Sequence, residues 1–597
     1  MAFQTLAKKQ ATDQSSVAST NSNWSISKAQ WLFLAAFGFV FTSACFLIFY
    51  NLGNFPLFNP DEALYAEPAR EMLETGEYIT TWLNYAVRFT KPPLVIWAMA
   101  AGYQLFGVNE FAARYFGAAC GAVLVGATYL FTRAQINSRA ALIAAFSLMT
   151  APLFLGTARE AITDIPLSLF VTGSLMCFYH AYETRKIMST SNTLLLILAY
   201  TAVGLAVMTK GPIGIILPVA ILGVYHLLRW DVRSALMFYK PWFGILLVAL
   251  IAVPWFAVEI NVTNGAYYRE FIVRENFQRF TGVVDHKAAW WYHIAAMLGG
   301  FFPWTVFLPG ALLTAINVEG STWKNSLTRF RALTPRRSTM LLATCGSAII
   351  LAFFSAGVSK LIPYTLPAFP LLAVLVGSYA DELWTKRTTK LPTALFVILA
   401  VIYTGALAAI PILGAKLHDC PTALLSAIWS FLIIHAVAAG VAAVLWLKQK
   451  FAASLITFTA ATFLALLLVG NQGLEAVSNQ WEAPIQSFAQ FAGASGSKET
   501  IIVYQMRKPS VTFYAKRKFL LPKSPKELTY LLSKADRAYI ISRSRAKKDL
   551  QSLPGTKRLC QMGQYVLTLY KRPTALKSSS NNSAAVIPEQ KDSSSDD

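Results

Sequence analysis

Two adjacent carboxylates, Asp61 and Glu62, are the residues of this sequence best suited to acid–base chemistry. They lie in the stretch Asn-Pro-Asp-Glu-Ala-Leu-Tyr-Ala-Glu at 59–67, just after the first long apolar segment. A carboxylate at a membrane boundary can take or polarise the proton of a hydroxyl group, which turns an alcohol into a nucleophile. Asp61 and Glu62 are therefore the candidate catalytic residues. The competing interpretation is that Asp61 caps the following helix and that Glu62 is an acid of its first turn.

Basic side chains in the same group of loops can stabilise the charge of a departing phosphate. The candidates for binding phosphate or the donor molecule are Arg88, Lys91, Lys210, Arg279 and Lys360. The alternative for the three lysines is that their long side chains reach out of the membrane to lipid headgroups. Both interpretations remain open from the sequence.

Three further residues are expected to shape the site, namely Asp164, Glu275 and Tyr364. Asp164 follows Arg159 and Glu160 in one short turn, and charges this close to a membrane pair with each other or line a cavity. An ion pair between Asp164 and Arg159 is the structural alternative.

The composition defines the class of protein in which these residues act. The chain has 597 residues, of which 55% are hydrophobic and only 14% charged. Such a chain is a polytopic α-helical membrane protein, because no soluble core needs so much apolar sequence. The net charge of +22 is scattered over short turns, so it predicts contact with anionic lipids and no nucleic-acid binding. The six cysteines show no paired motif, and the chain has no Gly-rich nucleotide loop.

The hydropathy predicts thirteen crossings of a hydrocarbon layer ~30 Å thick. The segment 94–106 is also apolar but short, and we interpret it as interfacial or re-entrant. The predicted crossings lie near 31–50, 111–131, 140–157, 163–182, 193–209, 211–229, 241–258, 294–316, 339–356, 362–380, 392–415, 423–447 and 452–470.

The basic residues give the orientation of these segments. With thirteen crossings, clusters such as Arg133 with Arg139, Arg229 with Arg233, and Arg336 with Arg337 all fall on one side, which identifies the cytoplasm. The opposite side receives the loops 51–110 and 259–293, which carry most of the candidate site residues. It also receives the C-terminal region, so we expect the chemistry there.

The sequence divides into four parts. Residues 1–30 are predicted to be a polar cytoplasmic N-terminus, 31–475 the transmembrane catalytic domain, and 576–597 a disordered tail. Residues 484–575 read as a small external α/β domain, with strands at 500–504, 537–542 and 565–570 and helices at 510–515 and 525–535. We interpret this domain as a cap or lid without catalytic residues.

The motifs taken together resemble a known family. They are the stretch 60–67, Arg-Glu-Met-Leu at 70–73, Arg-Phe-Thr-Lys-Pro-Pro at 88–93, Thr-Lys-Gly-Pro at 209–212, Glu-Asn-Phe-Gln-Arg-Phe at 275–280, Trp-Trp-Tyr at 290–292, Phe-Pro-Trp at 302–304 and Lys-Leu-Ile-Pro-Tyr-Thr-Leu-Pro at 360–367. In this order they resemble the C-type (GT-C) integral-membrane glycosyltransferases related to protein O-mannosyltransferases. Within that superfamily, the lipid A aminoarabinose transferases are most similar. The resemblance covers about residues 30–470.

The resemblance implies a polyprenyl-phosphate-linked sugar donor, a membrane acceptor and inversion at the anomeric carbon. It places Asp61 at the reaction centre, with Arg88 and Lys91 on phosphate. The family's metal ligands are a glutamate directly before the loop lysine and a histidine of the second loop, and here these positions are Thr90 and Asn276. A divalent metal ion therefore remains an open question, with Asp61, Glu62 and Asn276 as candidate oxygen ligands, and we predict no other cofactor.

The function predicted on this basis is transfer of a sugar from a polyprenyl phosphate to a membrane lipid or glycolipid at the non-cytoplasmic face of a bacterial inner membrane, by a monomer. The alternatives are transfer to protein Ser/Thr hydroxyls, a transporter or lipid flippase, and a non-catalytic scaffold. A transporter would place its ionisable groups near the middle of the bilayer, whereas here they lie in loops.

Overall fold

A computed structural model describes residues 28–573, except 187–188, 279–281, 283–287, 317–332, 415–420 and 497–498. The candidate Arg279 lies outside the described residues. So do the predicted disordered tail and nearly all of the predicted N-terminal segment.

Long apolar helices make up the membrane part of the protein. Ten stretches are long and apolar enough to cross a bilayer by length and composition: Lys28–Phe49, Glu110–Gln135, Asp164–Glu183, Thr190–Lys210, Pro241–Val262, Pro335–Ala356, Ile362–Thr385, Lys390–Ala409, Thr422–Leu447 and Phe451–Trp481. The stretch Ile362–Thr385 opens with a 3₁₀ turn, Ile362–Ala368, that continues into the helix Phe369–Thr385. The last helix of the crossing part has 31 residues and extends well past the hydrocarbon layer.

Two further crossings are bent pairs of helices. Ser138–Met149 and Pro152–Ala158 meet at 64°, and Tyr292–Gly300 meets Trp304–Ala315 at 107°. Each break falls directly before or at a proline, Pro152 in the first pair and Pro303 in the second. Proline disfavours helical conformation in the residue before it, and this ends the preceding helix. Counting each pair once gives twelve crossings among the described residues.

The helix Ile213–Arg229 is apolar but, with 17 residues, short for a crossing, and we infer from its two ends that it is the thirteenth. Its first end adjoins Gly211, which packs against Phe271 of the loop 259–293. Its other end is held by Arg229, whose Nη1 lies 2.5 Å from Glu183 Oε1 and 2.7 Å from Ser338 Oγ. Gly211 and Arg229 thus lie at opposite ends of the neighbouring membrane helices.

An independent argument shows that the number of crossings is odd. The first external loop follows the first crossing and the C-terminal domain follows the last, and Leu57 of that loop donates a hydrogen bond to Tyr514 of the domain (2.7 Å). Both therefore lie on the same face, which requires an odd number of crossings. The thirteen predicted crossings agree with this, and Leu94–Phe106, a 13-residue helix packed between its neighbours in the loop, is not one of them.

The first external loop is a folded unit. It contains the helix Ala63–Thr75, a short hairpin of strands β1 (Trp82–Leu83) and β2 (Ala86–Val87), and the helix Leu94–Phe106. Gly76 ends the first helix in the left-handed conformation, with φ of 73°. The second loop contains a π-helical segment, Tyr268–Gln278.

The C-terminal domain is an α/β unit, as predicted. Its sheet has the order β4-β3-β5-β7-β6, with β3 (Thr500–Tyr504) parallel to β4 (Phe519–Leu520) and β5 (Arg537–Arg543), and β7 (Tyr565–Lys571) antiparallel to β5 and β6 (Thr556–Met562). The helices are Ala483–Ala494, Ser510–Ala515, Pro525–Lys534 and the short Lys547–Gln551. The sequence analysis missed β4, β6 and the helices Ala483–Ala494 and Lys547–Gln551.

The topology can be tested with two cysteines. Cys560 is exposed on β6, and Ser234 is exposed just after the helix Ile213–Arg229. We expect a membrane-impermeant maleimide to label Cys560 from one face, and Ser234→Cys, in a background lacking Cys420 and Cys560, only from the other. Labelling of both from the same face in spheroplasts would show that the 17-residue helix does not cross.

Candidate active site

The first external loop is anchored by a buried ion pair between Glu62 and Arg114. Arg114 Nε donates to Glu62 Oε1 (2.7 Å), and Arg114 Nη2 donates to Oε2 (2.6 Å). The remaining acceptor positions of the carboxylate receive the backbone N–H of Phe58 and of Ala161, each at 2.8 Å. Glu62 therefore joins three segments of the chain. Because its oxygens are fully engaged, it is poorly placed to accept a substrate proton.

Arg114 also fixes the turn that leads into the site. Its Nη1 donates to the carbonyls of Leu52 (2.9 Å) and Phe55 (2.7 Å), and its Nη2 donates to that of Pro56 (2.9 Å). A buried arginine needs this many acceptors, since an unpaired charge in the interior is very costly.

Asp61 differs from Glu62 in being exposed. The helix that follows begins at Ala63 with Glu62 in the capping position, so the cap position is not occupied by Asp61. Glu160 lies close enough for the charge of Asp61 to act on it. Burial, with the negative charges of Glu62 and Asp61, raises the pKa of Glu160 to about 8. At neutral pH Glu160 is therefore largely protonated.

Lys210, Asp164 and Tyr364, predicted from three separate segments, come together. Lys210 Nζ lies 2.7 Å from Asp164 Oδ1 and 4.6 Å from the centre of the Tyr364 ring. The expected rival partner of Asp164, Arg159, binds elsewhere, to Asn471 Oδ1 at 2.9 Å. Gly211 explains the motif around the lysine: its φ of +80° turns the chain, and a Cβ there would stand 2.7 Å from the Phe271 ring.

Arg88 and Tyr65 form the next part of the site. The Arg88 guanidinium donates to the carbonyl of Leu64 and lies 5.9 Å from the centre of the Tyr65 ring. Tyr65 is buried, and this raises the pKa of its hydroxyl, while Arg88 and Lys210 are near enough to lower it. Tyr65 is thus within electrostatic range of both cations. Tyr65 belongs to the motif 60–67 but had no predicted role.

Lys91 lies at the edge of this group. Its Nζ is 3.8 Å from Glu275 Oε2 in the π-helical segment, so the two external loops meet at this pair. The side-chain amide of Asn276 donates a hydrogen bond to the carbonyl of Phe271 (2.6 Å). Glu275 therefore pairs with a lysine of the first loop.

Lys360 has a different environment. Its ammonium is buried and donates to the carbonyls of Ser355 (2.7 Å) and Gly357 (2.6 Å). These bonds close the turn that joins two membrane helices. The geometry favours a structural role for Lys360 over the phosphate-binding role expected from the sequence.

The candidate metal ligands do not fit a cation. Both oxygens of Glu62 are held by Arg114 and backbone amides, and the Asn276 amide group donates to a carbonyl. Within the described part of the chain, no group of three or more His, Cys, Asp or Glu side chains is arranged to hold a metal ion. No step of the chemistry below passes through a metal.

The C-terminal domain is hydrogen-bonded to the first external loop next to Asp61. Asn59 Nδ2 donates to Glu482 Oε2 (2.7 Å) and to Ser510 Oγ (2.6 Å), and Asn59 Oδ1 accepts the backbone N–H of Ser510 (3.0 Å). Glu482 is held in turn by buried Lys508 at 3.0 Å. Both ends of the Asn59 amide are thus bound from outside the membrane domain, two positions before Asp61.

A second amide repeats this arrangement. Asn84, in the hairpin of the first loop, donates to the carbonyl of Phe519 (3.0 Å) and accepts its N–H (2.9 Å). The domain predicted to be a cap or lid is therefore hydrogen-bonded to the first external loop at two amides. Its contacts join residues more than 400 positions apart, which local sequence patterns do not reveal.

Comparisons with known proteins agree with this architecture. Residues 32–263 match the family model of the dolichyl-phosphate-mannose-protein mannosyltransferases. An uncharacterised protein of Aquifex aeolicus is 30% identical over 362 residues, covering 60% of this chain and 67% of the relative. The chain belongs to the C-type integral-membrane glycosyltransferases, the superfamily that includes the protein mannosyltransferases.

Within that superfamily two further similarities are specific. The undecaprenyl phosphate-α-4-amino-4-deoxy-L-arabinose arabinosyl transferase of Pectobacterium atrosepticum is 32% identical over 331 residues, or 55% of this chain, and the match spans only 56% of that enzyme. The crystal structure of ArnT from Cupriavidus metallidurans bound to undecaprenyl phosphate superposes with a TM-score of 0.75, over 91% of this chain and 98% of that one, at 23% identity. The fold is the one predicted.

We expect Asn59→Ala to lower kcat by about 10- to 100-fold, because a small displacement of a catalytic group has effects of that size. The KM of the donor should change little, and Asn261→Ala, an exposed amide on the same side of the membrane, should have wild-type kinetics. Ser510→Ala should have a smaller effect of the same kind, and the double variant should not be additive. Unchanged kcat in Asn59→Ala would contradict a positioning role.

Glu160 should make stability depend on pH. Its pKa is about 8 in the folded protein and near 4.5 when unfolded, so between these values only the unfolded chain ionises. The folded state should therefore lose stability as pH rises from about 5 to 8, and Glu160→Gln should reduce that loss. Melting midpoints of the purified proteins across this range provide the measurement. Glu77→Gln, an exposed control, should retain the wild-type slope, and equal slopes in all three proteins would refute the assignment.

Proposed function

We propose that this protein is an inverting glycosyltransferase that moves a sugar from a polyprenyl phosphate to a membrane lipid or glycolipid. The observation that carries the proposal is the meeting of an acidic group and a cationic group in one site. Glu160 is within electrostatic range of Asp61, Glu62 and Asp164, while Tyr65 is within range of Arg88, Lys210 and Asp164. Asp164 is common to both sets, so it joins the acidic side to the cationic side.

This arrangement suits attack by a hydroxyl group on a sugar phosphate. Asp61 takes the proton of the acceptor hydroxyl, and the oxygen of that hydroxyl forms a bond to the anomeric carbon. The bond between that carbon and the phosphate oxygen breaks on the opposite face, and the electron pair leaves with the phosphate. Arg88 and Lys210 stabilise the added negative charge of the polyprenyl phosphate, and Tyr65 is placed to donate a hydrogen bond.

The remaining candidates have supporting roles. Glu62 positions Asp61 through its bonds to Arg114, and Lys91 joins the two external loops through Glu275. A protonated Glu160 limits the negative charge around Asp61. Asp164 holds the ammonium of Lys210 in position until a phosphate arrives.

Two supports identify the donor class. The matching family model is named for a dolichyl-phosphate-linked sugar donor, and the Pectobacterium relative for an undecaprenyl-phosphate-linked one. The phosphate-binding cations described above fit either lipid phosphate. We infer that a bacterial inner membrane is the location and that the site faces the periplasm, because the first loop and the C-terminal domain lie opposite the basic turns around Arg139 and Arg336.

Asp61→Asn should reduce sugar transfer by at least 100-fold, because it removes the base and leaves the shape of the loop intact. Transfer is measured with a panel of labelled polyprenyl-phosphate sugars and purified protein in total membrane lipid. The label found in the lipid or in the protein fraction distinguishes a lipid acceptor from Ser/Thr hydroxyls.

Glu62→Gln is the matched control for this experiment. It should lower the melting temperature, because it breaks a buried ion pair, whereas Asp61→Asn should melt like wild type. Transfer that is indifferent to Asp61, or no turnover of any donor, would overturn the proposal and favour transport.

A further inference from the structure

A polar cavity lies outside the site described so far. Its volume is about 510 Å³, and it is formed between the end of the first membrane helix and the end of the last one. The lining residues are Tyr50, Asn51, Asn54, Phe55, Leu467, Leu468, Asn471, Gln472, Glu475 and Asn479. A cavity this rich in side-chain amides does not suit an apolar molecule.

Most of these polar groups have no hydrogen-bond partner among the residues that the structure describes. The side chains of Asn51, Asn54, Gln472, Glu475 and Asn479 make no hydrogen bond or ion pair with any described residue. Amides and a carboxylate together offer both donors and acceptors, which is the complement of a molecule with several hydroxyl groups. A lone phosphate would fit poorly, because Glu475 adds negative charge to the cavity.

The wall of the cavity is connected to the site through hydrogen bonds. Asn471 Oδ1 accepts from Arg159 (2.9 Å), and its Nδ2 donates to the carbonyl of Leu467. Arg159 directly precedes Glu160, which is the protonated neighbour of Asp61. On the other side, the turn Asn51–Phe55 is fixed by Arg114 through the carbonyls of Leu52 and Phe55. The same arginine holds Glu62, so one scaffold supports both the cavity and the catalytic loop.

The position of the cavity in the membrane indicates a lipid. Asn471 lies 20 residues after the first residue of the helix Phe451–Trp481, which is ~30 Å along the helix axis. This distance equals the thickness of the hydrocarbon layer, so the amides lie at the level of the headgroups on the face that carries the site. Leu468, at the lower edge, is 56% exposed and offers a surface for an acyl chain.

We propose that this cavity binds the hydroxyl-rich headgroup of a glycolipid from the outer leaflet. The inference deepens the proposed function, because it assigns a docking place to the glycolipid substrate beside the catalytic loop. The headgroup hydroxyls bind Asn54, Gln472, Glu475 and Asn479, and the acyl chains lie along the exposed face of the last membrane helix.

Photo-cross-linking tests the proposal without requiring turnover. A benzophenone side chain is introduced at Gln472, and in a separate variant at Ile456, which is 66% exposed on the same helix and outside the cavity. The proteins are irradiated in vesicles that contain phosphatidylglycerol, phosphatidylethanolamine and a purified lipopolysaccharide-type glycolipid. We expect at least fivefold enrichment of the glycolipid at position 472 over position 456. Equal recovery of the glycolipid at both positions would overturn the proposal.

A kinetic measurement separates this inference from the proposed function. The triple variant Asn54→Ala, Gln472→Ala, Asn479→Ala should raise the acceptor KM about tenfold or more, since each lost hydrogen bond weakens binding by a few-fold. The donor KM should be unchanged, because none of these residues lies near Lys210 or Arg88. Wild-type acceptor KM in the variant would overturn the docking site and leave the glycosyltransferase proposal intact. Glycolipid cross-linking at position 472 without sugar transfer by the wild-type protein would overturn the glycosyltransferase proposal and leave the docking site intact.

Discussion

The architecture of the site depends on the ion pair between Arg114 and Glu62. Both side chains are almost fully buried, and together they bind the first loop, the turn before it and the segment at Ala161. Removing one member would leave an uncompensated charge in the interior, at a cost of about 3–5 kcal/mol. The adjacent Asp61 is exposed because its neighbour carries the structural role. Of the two adjacent carboxylates, Glu62 thus supports the loop and Asp61 is the one proposed to do chemistry.

The C-terminal domain adds a second constraint on the same loop. It binds Asn59 and Asn84 through both ends of their amide groups, which fixes orientation as well as distance. A single hydrogen bond would allow the loop to rotate, whereas paired donor and acceptor bonds do not. The domain contributes no acid or base that we can place on a reacting atom, so its role is in positioning.

Much of this structure was predictable from the sequence, and the exceptions have physical causes. Membrane crossings can be predicted from hydropathy because each must be apolar enough to lie in the hydrocarbon layer. The helix Ile213–Arg229 was also predicted in this way. Strand β6 was not predicted because it is an exposed edge strand. Its sequence, Thr-Lys-Arg-Leu-Cys-Gln-Met, shows little alternation of apolar and polar residues. The partner of Glu62 escaped because Arg114 is 52 residues away and no local pattern records the contact. Lys360 was predicted to bind phosphate because the sequence does not reveal that its ammonium is bound by backbone carbonyls.

The clamp on Asn59 also determines when the protein becomes competent during its synthesis. Asn59 leaves the ribosome before Ser510, which follows 451 residues later, after the membrane helices between them. The first loop therefore reaches the far side of the membrane long before the residues that bind it. A chain that stalls between the two carries the proposed base but lacks the part that orients it. Competence for transfer thus waits until the C-terminal domain has been made.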